Sequence, residues 1–240
     1  MTSAREAMLA RIRSGLAQSG PWLEAQAAAA PHTPPPFVHP SQDDLAEQFA
    51  TELVRVAGHI HRCADEEGAL EAIAGIVGGR AGAGVIAWDR QQIGLAGLDA
   101  LLDQQGARVL DAQESGEPRA QRLQRLEPAQ ICISGADVGI AESGTLLLVS
   151  APGRPRMASL LAPVFLAVLW REQLVRGLGE ALAAVRARYG DDPLNDHSSI
   201  VLLTGPSRTG DIEMTLTLGV HGPGEIHVVL IDSDRPAPAV

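Results

Sequence analysis

Residues 129–150 read AQICISGADVGIAESGTLLLVS, and two apolar runs inside this stretch decide the fold class. The first occupies 129–134, the second is GTLLLVS at 144–150. Neither alternates apolar with polar residues, so each reads as a strand buried on both faces, as in a sheet covered by helices. Working outward, similar runs recur at 84–88 (GVIAW), 107–110, 164–169, 200–204 and 226–231. Between them the apolar spacing predicts helices at 98–105, 117–126 and 174–189. Upstream, Leu45, Phe49, Leu53 and Val56 repeat at helical spacing behind a cap at Ser41. A short alternating strand at 57–63 and a helix at 65–77 follow. Strands alternating with helices in this way predict a three-layer α/β/α domain around a mainly parallel sheet.

The chain has 240 residues, and 19 basic against 29 acidic residues leave a net charge of −10. Every basic residue is arginine, which excludes a Schiff-base lysine, a lysine general base and a phosphate-loop lysine. Two cysteines, Cys63 and Cys132, cannot supply the four ligands of an ordinary iron–sulfur cluster or a four-cysteine zinc site. They also argue against a disulfide framework. The acidic balance speaks against a general nucleic-acid binder, because phosphates need a basic patch. A hydrophobic fraction of 45% is ordinary for a globular protein, and the length suits one large domain.

At the start, Met8, Ile12 and Leu16 recur between Arg5, Arg11 and Arg13, predicting an amphipathic helix over 1–20. The unbroken apolar stretch of roughly 7–15 residues that marks an export signal is missing there. The longest apolar run, 157–170, contains Pro163 and falls short of the roughly 18 residues of a spanning helix, so it reads as core. No membrane segment and a cytoplasmic location are the expectations. Residues 25–40 (AQAAAAPHTPPPFVHP) hold five prolines and read as a linker or extended arm. The chain thus divides into a helix and arm at 1–40 and a single α/β domain at 41–240. The arm is expected to pack on another subunit or to be mobile, which is compatible with a homo-oligomer.

Three segments carry polar groups where an α/β sheet places ligands, beyond the carboxyl ends of strands and at glycine-rich turns, and they are expected to converge on one cleft. In the first, Glu142 is a candidate nucleophile or general base, and Ser143, Gly144 and Thr145 can hold an anion or oxyanion. A polar turn before a strand is the alternative. In the second, Gly205, Ser207, Arg208 and Thr209 follow a strand and open a predicted short helix, a ready site for phosphate or carboxylate. Asp211 and Glu213 either join that site or complement the helix dipole. In the third, His221 stands among glycines that include Gly222 and is a candidate acid–base group, with a tight turn as the alternative. His59 and His61 share one strand face without a third ligand at convincing spacing, so no metal site is expected. GIVGGRAGAG at 75–84 ends a helix, the wrong context for a dinucleotide loop, and the Arg119, Arg122 and Arg125 stripe reads as a solvated helix face.

GIAESGTLLL at 139–148, GPSRTGDIE at 205–213, GVHGP at 219–223 and HVVLI at 227–231 together resemble the lactate-utilization protein C family, the LUD-domain proteins. REAMLARIRSGL at 5–16 is similar to the family's opening helix, so the resemblance spans nearly the whole chain. It implies the fold shared by ribose-phosphate isomerase, glucosamine-phosphate deaminase and CoA-transferases. It also implies a subunit of a complex that oxidises L-lactate to pyruvate, and the small-anion site read from the residues would suit a carboxylate such as lactate. Iron–sulfur clusters are then expected in partner subunits and no cofactor in this chain. One departure is Val164-Phe165, where the resemblance leads one to expect a histidine after Pro163. The alternative reading is a stand-alone CoA-transferase-like or sugar-phosphate isomerase-like enzyme using Glu142, or a ligand sensor without turnover.

Overall fold

The computed structural model describes residues 3–28, 35–40, 42–80, 82–112, 116–210 and 216–235. The chain divides into two units, Met1–Pro34 and Pro35–Val240. The first contains helix α1 (Ala4–Ala28), which runs through Pro21. The helix outlasts the predicted end at residue 20 because the alanine-rich stretch that looked like linker has high helix propensity. Its Met8, Ile12, Leu16, Trp22 and Leu23 are exposed.

In the second unit the elements are α2 (Leu45–Arg55), β1 (His59–Cys63), α3 (Glu66–Gly78), β2 (Gly84–Ala87), α4 (Arg90–Ile93), α5 (Leu98–Gln104), β3 (Arg108–Leu110), α6 (Arg119–Leu126) and β4 (Ala129–Gly135). Then follow β5 (Val138–Ile140), β6 (Thr145–Val149), β7 (Val164–Trp170), β8 (Leu174–Val175), α7 (Leu178–Tyr189), β9 (Ile200–Leu203), β10 (Arg208–Gly210), β11 (Leu216–Leu218) and β12 (Glu225–Ile231). Asp44 caps α2 by accepting a hydrogen bond from the Ala46 amide, and Asp65 caps α3 by accepting one from Gly68. The predicted cap, Ser41, lies outside the described residues.

Six strands form one wholly parallel sheet in the order β1-β12-β7-β4-β2-β3. That sheet, flanked by helices, is the predicted α/β architecture. A second, mixed sheet in the order β8-β5-β6-β9 departs from the single-sheet expectation. The reason lies in β6. Leu146 and Leu148 join the main core with Phe49, Leu53 and Leu169, whereas Leu147 and Val149 pack with Ala181 and Val185 of α7. A strand buried on both faces has the same composition whether it lies inside a parallel sheet or between a sheet and a helix. The predicted helix at 174–189 also divides: Leu174 and Val175 pair with β5, and α7 starts after Gly177.

Leu147 is fully buried and Leu202 is half exposed on the edge strand β9. Leu147→Ala is expected to cost about 2–5 kcal/mol in urea unfolding. Leu202→Ala is expected to change stability by about 0.5 kcal/mol or less.

Candidate functional site

The turn between β5 and β6 carries Glu142, Ser143 and Gly144. Glu142 is a clamp in this geometry. One carboxylate oxygen accepts hydrogen bonds from the amides of Val38 (2.6 Å) and His39 (3.2 Å), and the other from Leu178 at the start of α7 (3.0 Å). Burial pushes its pKa up, but the bonds from Val38, Leu178 and His39 outweigh burial and hold it below the usual carboxylate value. Residues 35–40 are therefore held on their own domain and depart from the expectation of an arm reaching another subunit or mobile. The Pro36 carbonyl accepts from the Glu180 amide, and the Arg176 guanidinium lies 4.7 Å over the Phe37 ring.

Next to this clamp, Ser143, Thr145 and Thr204 form a chain of hydroxyls at 2.8 and 2.7 Å. Gly144 has φ +60°, and a Cβ there would lie 2.3 Å from the Leu53 nitrogen, so α2 can approach the turn only because the residue is glycine. The second and third segments meet each other. The Ser207 amide donates to the Pro223 carbonyl (2.8 Å), the Gly219 amide donates to the Ser207 carbonyl (2.9 Å), and Gly222 packs on the Ser207 side chain. Both stand at the amino ends of the parallel strands and not at the expected carboxyl ends, because Gly224 just before β12 donates to Pro163 just before β7. The predicted short helix after Gly205 is instead a turn leading into the β10–β11 hairpin, paired Arg208 to Leu218 and Thr209 to Thr217. The reason is local: Gly205 and Pro206 are buried, and strand pairing takes Arg208 and Thr209.

Arg208 donates to the Val56 carbonyl at 2.7 Å, covering the C-terminal end of α2, where a cation complements the helix dipole. His221 is exposed on its turn. Asp211 and Glu213 lie outside the described residues. Phe165, at the position where a histidine was expected, is fully buried in β7 beside Cys132 and Ile226.

At the same amino edge, His227 of β12 completes a stack with the two histidines noted in β1. Its Nδ1 lies 3.0 Å from His61 Nε2, and its ring is 4.7 Å from that of His59. Burial, then the neighbouring His59, lower the His227 pKa to about 4, with Glu225 opposing the shift. Among the described residues, no group of three or more His, Cys, Asp or Glu side chains is placed to hold a metal ion. A cavity of about 610 Å³ lined by His59, His61, Pro206 and Gly224 opens here. Both cysteines are buried, and burial pushes the Cys132 thiol up to about 12 and raises that of Cys63.

The larger cavity is at the opposite, carboxyl ends of the parallel strands. It measures about 1000 Å³, and Arg90, Gln92, Asp99, Arg154, Arg188 and Arg235 line its polar side. Gln92 and Ile93 reach the end of β4, where the Gln92 carbonyl crowds Gly135, and Arg235 follows β12. Behind it, Arg154 donates to Asp137 (2.7 Å) and to Gln92 (2.9 Å), and Tyr189 donates to the same carboxylate (2.6 Å). Sequence reasoning singled out none of these arginines. The usable signal was positional, since residues just after β2 and β12 must sit at carboxyl ends.

The fold defines an α/β domain on a parallel sheet, with a cationic cavity at its carboxyl ends. The chain belongs to the LUD domain family, whose model matches residues 46–231. It is 33% identical over 148 residues to Lactate utilization protein C of Shouchella clausii, covering 62% of this chain and 62% of that protein. It is 29% identical over 204 residues to the protein of that name from a Geobacillus species, covering 81% and 80%. The aligned stretch thus spans about three-fifths of the first relative. Its fold is similar to the crystal structure of a DUF162 family protein from Deinococcus radiodurans, at 22% identity and a TM-score of 0.57, covering 80% of this chain and 99% of that one. Among the described residues, no helix is long and apolar enough to cross a membrane.

Two outcomes follow from the clamp and the histidine stack. Glu142→Ala removes the acceptor of three amides, so limited proteolysis is expected to cut faster within 35–40. Its unfolding free energy is expected to fall by about 1–3 kcal/mol. For His227 the folded pKa lies below the ordinary 6.5, so the unfolded chain binds protons first as pH falls. Stability carried by neutral His227 is complete above pH 6.5 and is lost towards pH 4. In His227→Gln, urea unfolding is expected to show a shallower loss across that window.

Proposed function

We propose that this chain acts in lactate utilization, as a subunit of a cytoplasmic assembly that oxidises L-lactate to pyruvate. In this reading it binds a small anionic ligand, and iron–sulfur partner subunits accept the electrons. The observation that carries the reading is membership of the LUD domain family together with the relatives called Lactate utilization protein C.

The chemistry of the chain supports the division of labour. Converting lactate to pyruvate removes two electrons and two protons, so an electron acceptor is required. Cys63 and Cys132 are too few for a four-cysteine cluster, and their thiols are buried and raised in pKa. Arginine suits the ligand class, because its planar fork gives a carboxylate two parallel hydrogen bonds.

The test is affinity purification of the tagged full chain from lactate-grown cells of its source. Co-elution of cysteine-rich iron–sulfur proteins, with lactate-dependent dye reduction in the eluate, is the expected result. A chain that elutes alone and inert toward lactate, or a deletion strain that grows normally on lactate, contradicts the reading.

A further inference from the structure

Charge in the larger cavity is out of balance with the rest of the chain. Four guanidinium groups, of Arg90, Arg154, Arg188 and Arg235, stand on its wall in a chain whose net charge is −10. Arg90 pairs with Asp99, and Arg154 pairs with Asp137 in the buried layer behind. Arg188 comes no closer than 3.5 Å to Asp137, which Arg154 and Tyr189 already engage. Arg235 donates at 3.3 Å to the carbonyls of Gln92 and Ile93, and to no carboxylate among the described residues. Among the described residues, these four cations form ion pairs with two carboxylates, Asp99 and Asp137, and Glu172 and Asp137 offset part of the field on Arg235. Like charges gathered on a partly dry wall repel unless an anion joins them.

The backbone is shaped to hold this arrangement. Gly94 ends α4 at φ +74°, and a Cβ there would meet the Arg235 Nη2 at 2.3 Å. Only glycine lets that guanidinium lie against the loop. The other wall is apolar and built from Leu95, Ala96, Leu98 and Ala100. A volume of about 1000 Å³ exceeds what a three-carbon acid fills and falls at the upper end of cavities for cofactor-sized or drug-sized ligands.

We propose that this cavity binds an organic dianion, a phosphate monoester or a dicarboxylate, with its charged groups on Arg188 and Arg235 and its carbon skeleton along Leu95, Ala96 and Leu98. The inference stands on the cavity alone and does not rest on the lactate reading, since lactate carries a single charge. Crowding fits the same picture: burial, then repulsion from Arg188 and Arg154, lower the Arg235 pKa, and a bound dianion relieves that repulsion.

Isothermal titration of the full chain at constant ionic strength tests the site, with phenyl phosphate, phenylsuccinate and lactate as probes. At least one of the two dianions is expected to bind about tenfold or more tightly than lactate, and which one does so identifies the anionic group. Arg188→Gln and Arg235→Gln are each expected to weaken that binding about tenfold or more. Arg55→Gln, on the exposed end of α2, is expected to leave it unchanged. Arg188 is half exposed, so its replacement keeps the fold, as circular dichroism of the variant will verify. The proposal is overturned if neither dianion binds more tightly than lactate, or if binding survives Arg188→Gln. Purification of a lactate-oxidising assembly is read separately, so either idea can fail without the other.

Discussion

The carboxylate of Asp137 is where two sheets, the last helix and the cavity wall meet. It follows β4 directly, accepts from the Val149 amide of β6 at 2.7 Å, and accepts from Tyr189 at the end of α7 at 2.6 Å. Its ion pair with Arg154 is almost dry, with side-chain exposures of 2% and 6%. A buried charge without its partner costs several kcal/mol, so these elements are constrained to assemble together. Arg154 passes the constraint onward through Gln92 and by lying 5.1 Å over the Trp88 ring. The helix α4 that carries Gln92, with its C-terminal Gly94, forms one wall of the cavity. Order at the carboxyl ends of the sheet thus descends from a single carboxylate.

The opposite edge shows how polar motif residues serve architecture. Glu142, Gly144 and Arg208 invite a catalytic reading as a sequence. In the fold they hold a proline-rich segment against α7, admit α2 at close range and cover its last carbonyls. A carboxylate that accepts three amide bonds has its lone pairs engaged and is stabilised in the charged form. The segments around Ser207 and Pro223 do converge, as a turn closed by backbone bonds.

Most strands were legible because a buried strand must be apolar throughout, and the runs at 84–88, 129–134, 164–169 and 226–231 correspond to β2, β4, β7 and β12. Sheet membership was not legible. Leu146 to Val149 would look the same in either sheet, because only the partners across each face differ. The break at Gly177 was hidden by apolar residues on both sides, and β8 is only two residues long. The cationic cavity is not legible in the sequence because Arg90, Arg154, Arg188 and Arg235 come from four separate segments that only the two sheets and α7 bring together. Local spacing cannot register such a site, although knowing which residues end the strands narrows the search.

The central claim is that the Asp137–Arg154 pair organises the carboxyl ends of the fold, and urea unfolding of Asp137→Ala against the parent chain tests it most directly. Removing one partner strands the Arg154 charge in a dry layer, and a loss of about 3–5 kcal/mol is the predicted result. A variant within about 0.5 kcal/mol of the parent, the range of an ordinary surface change, would contradict the account.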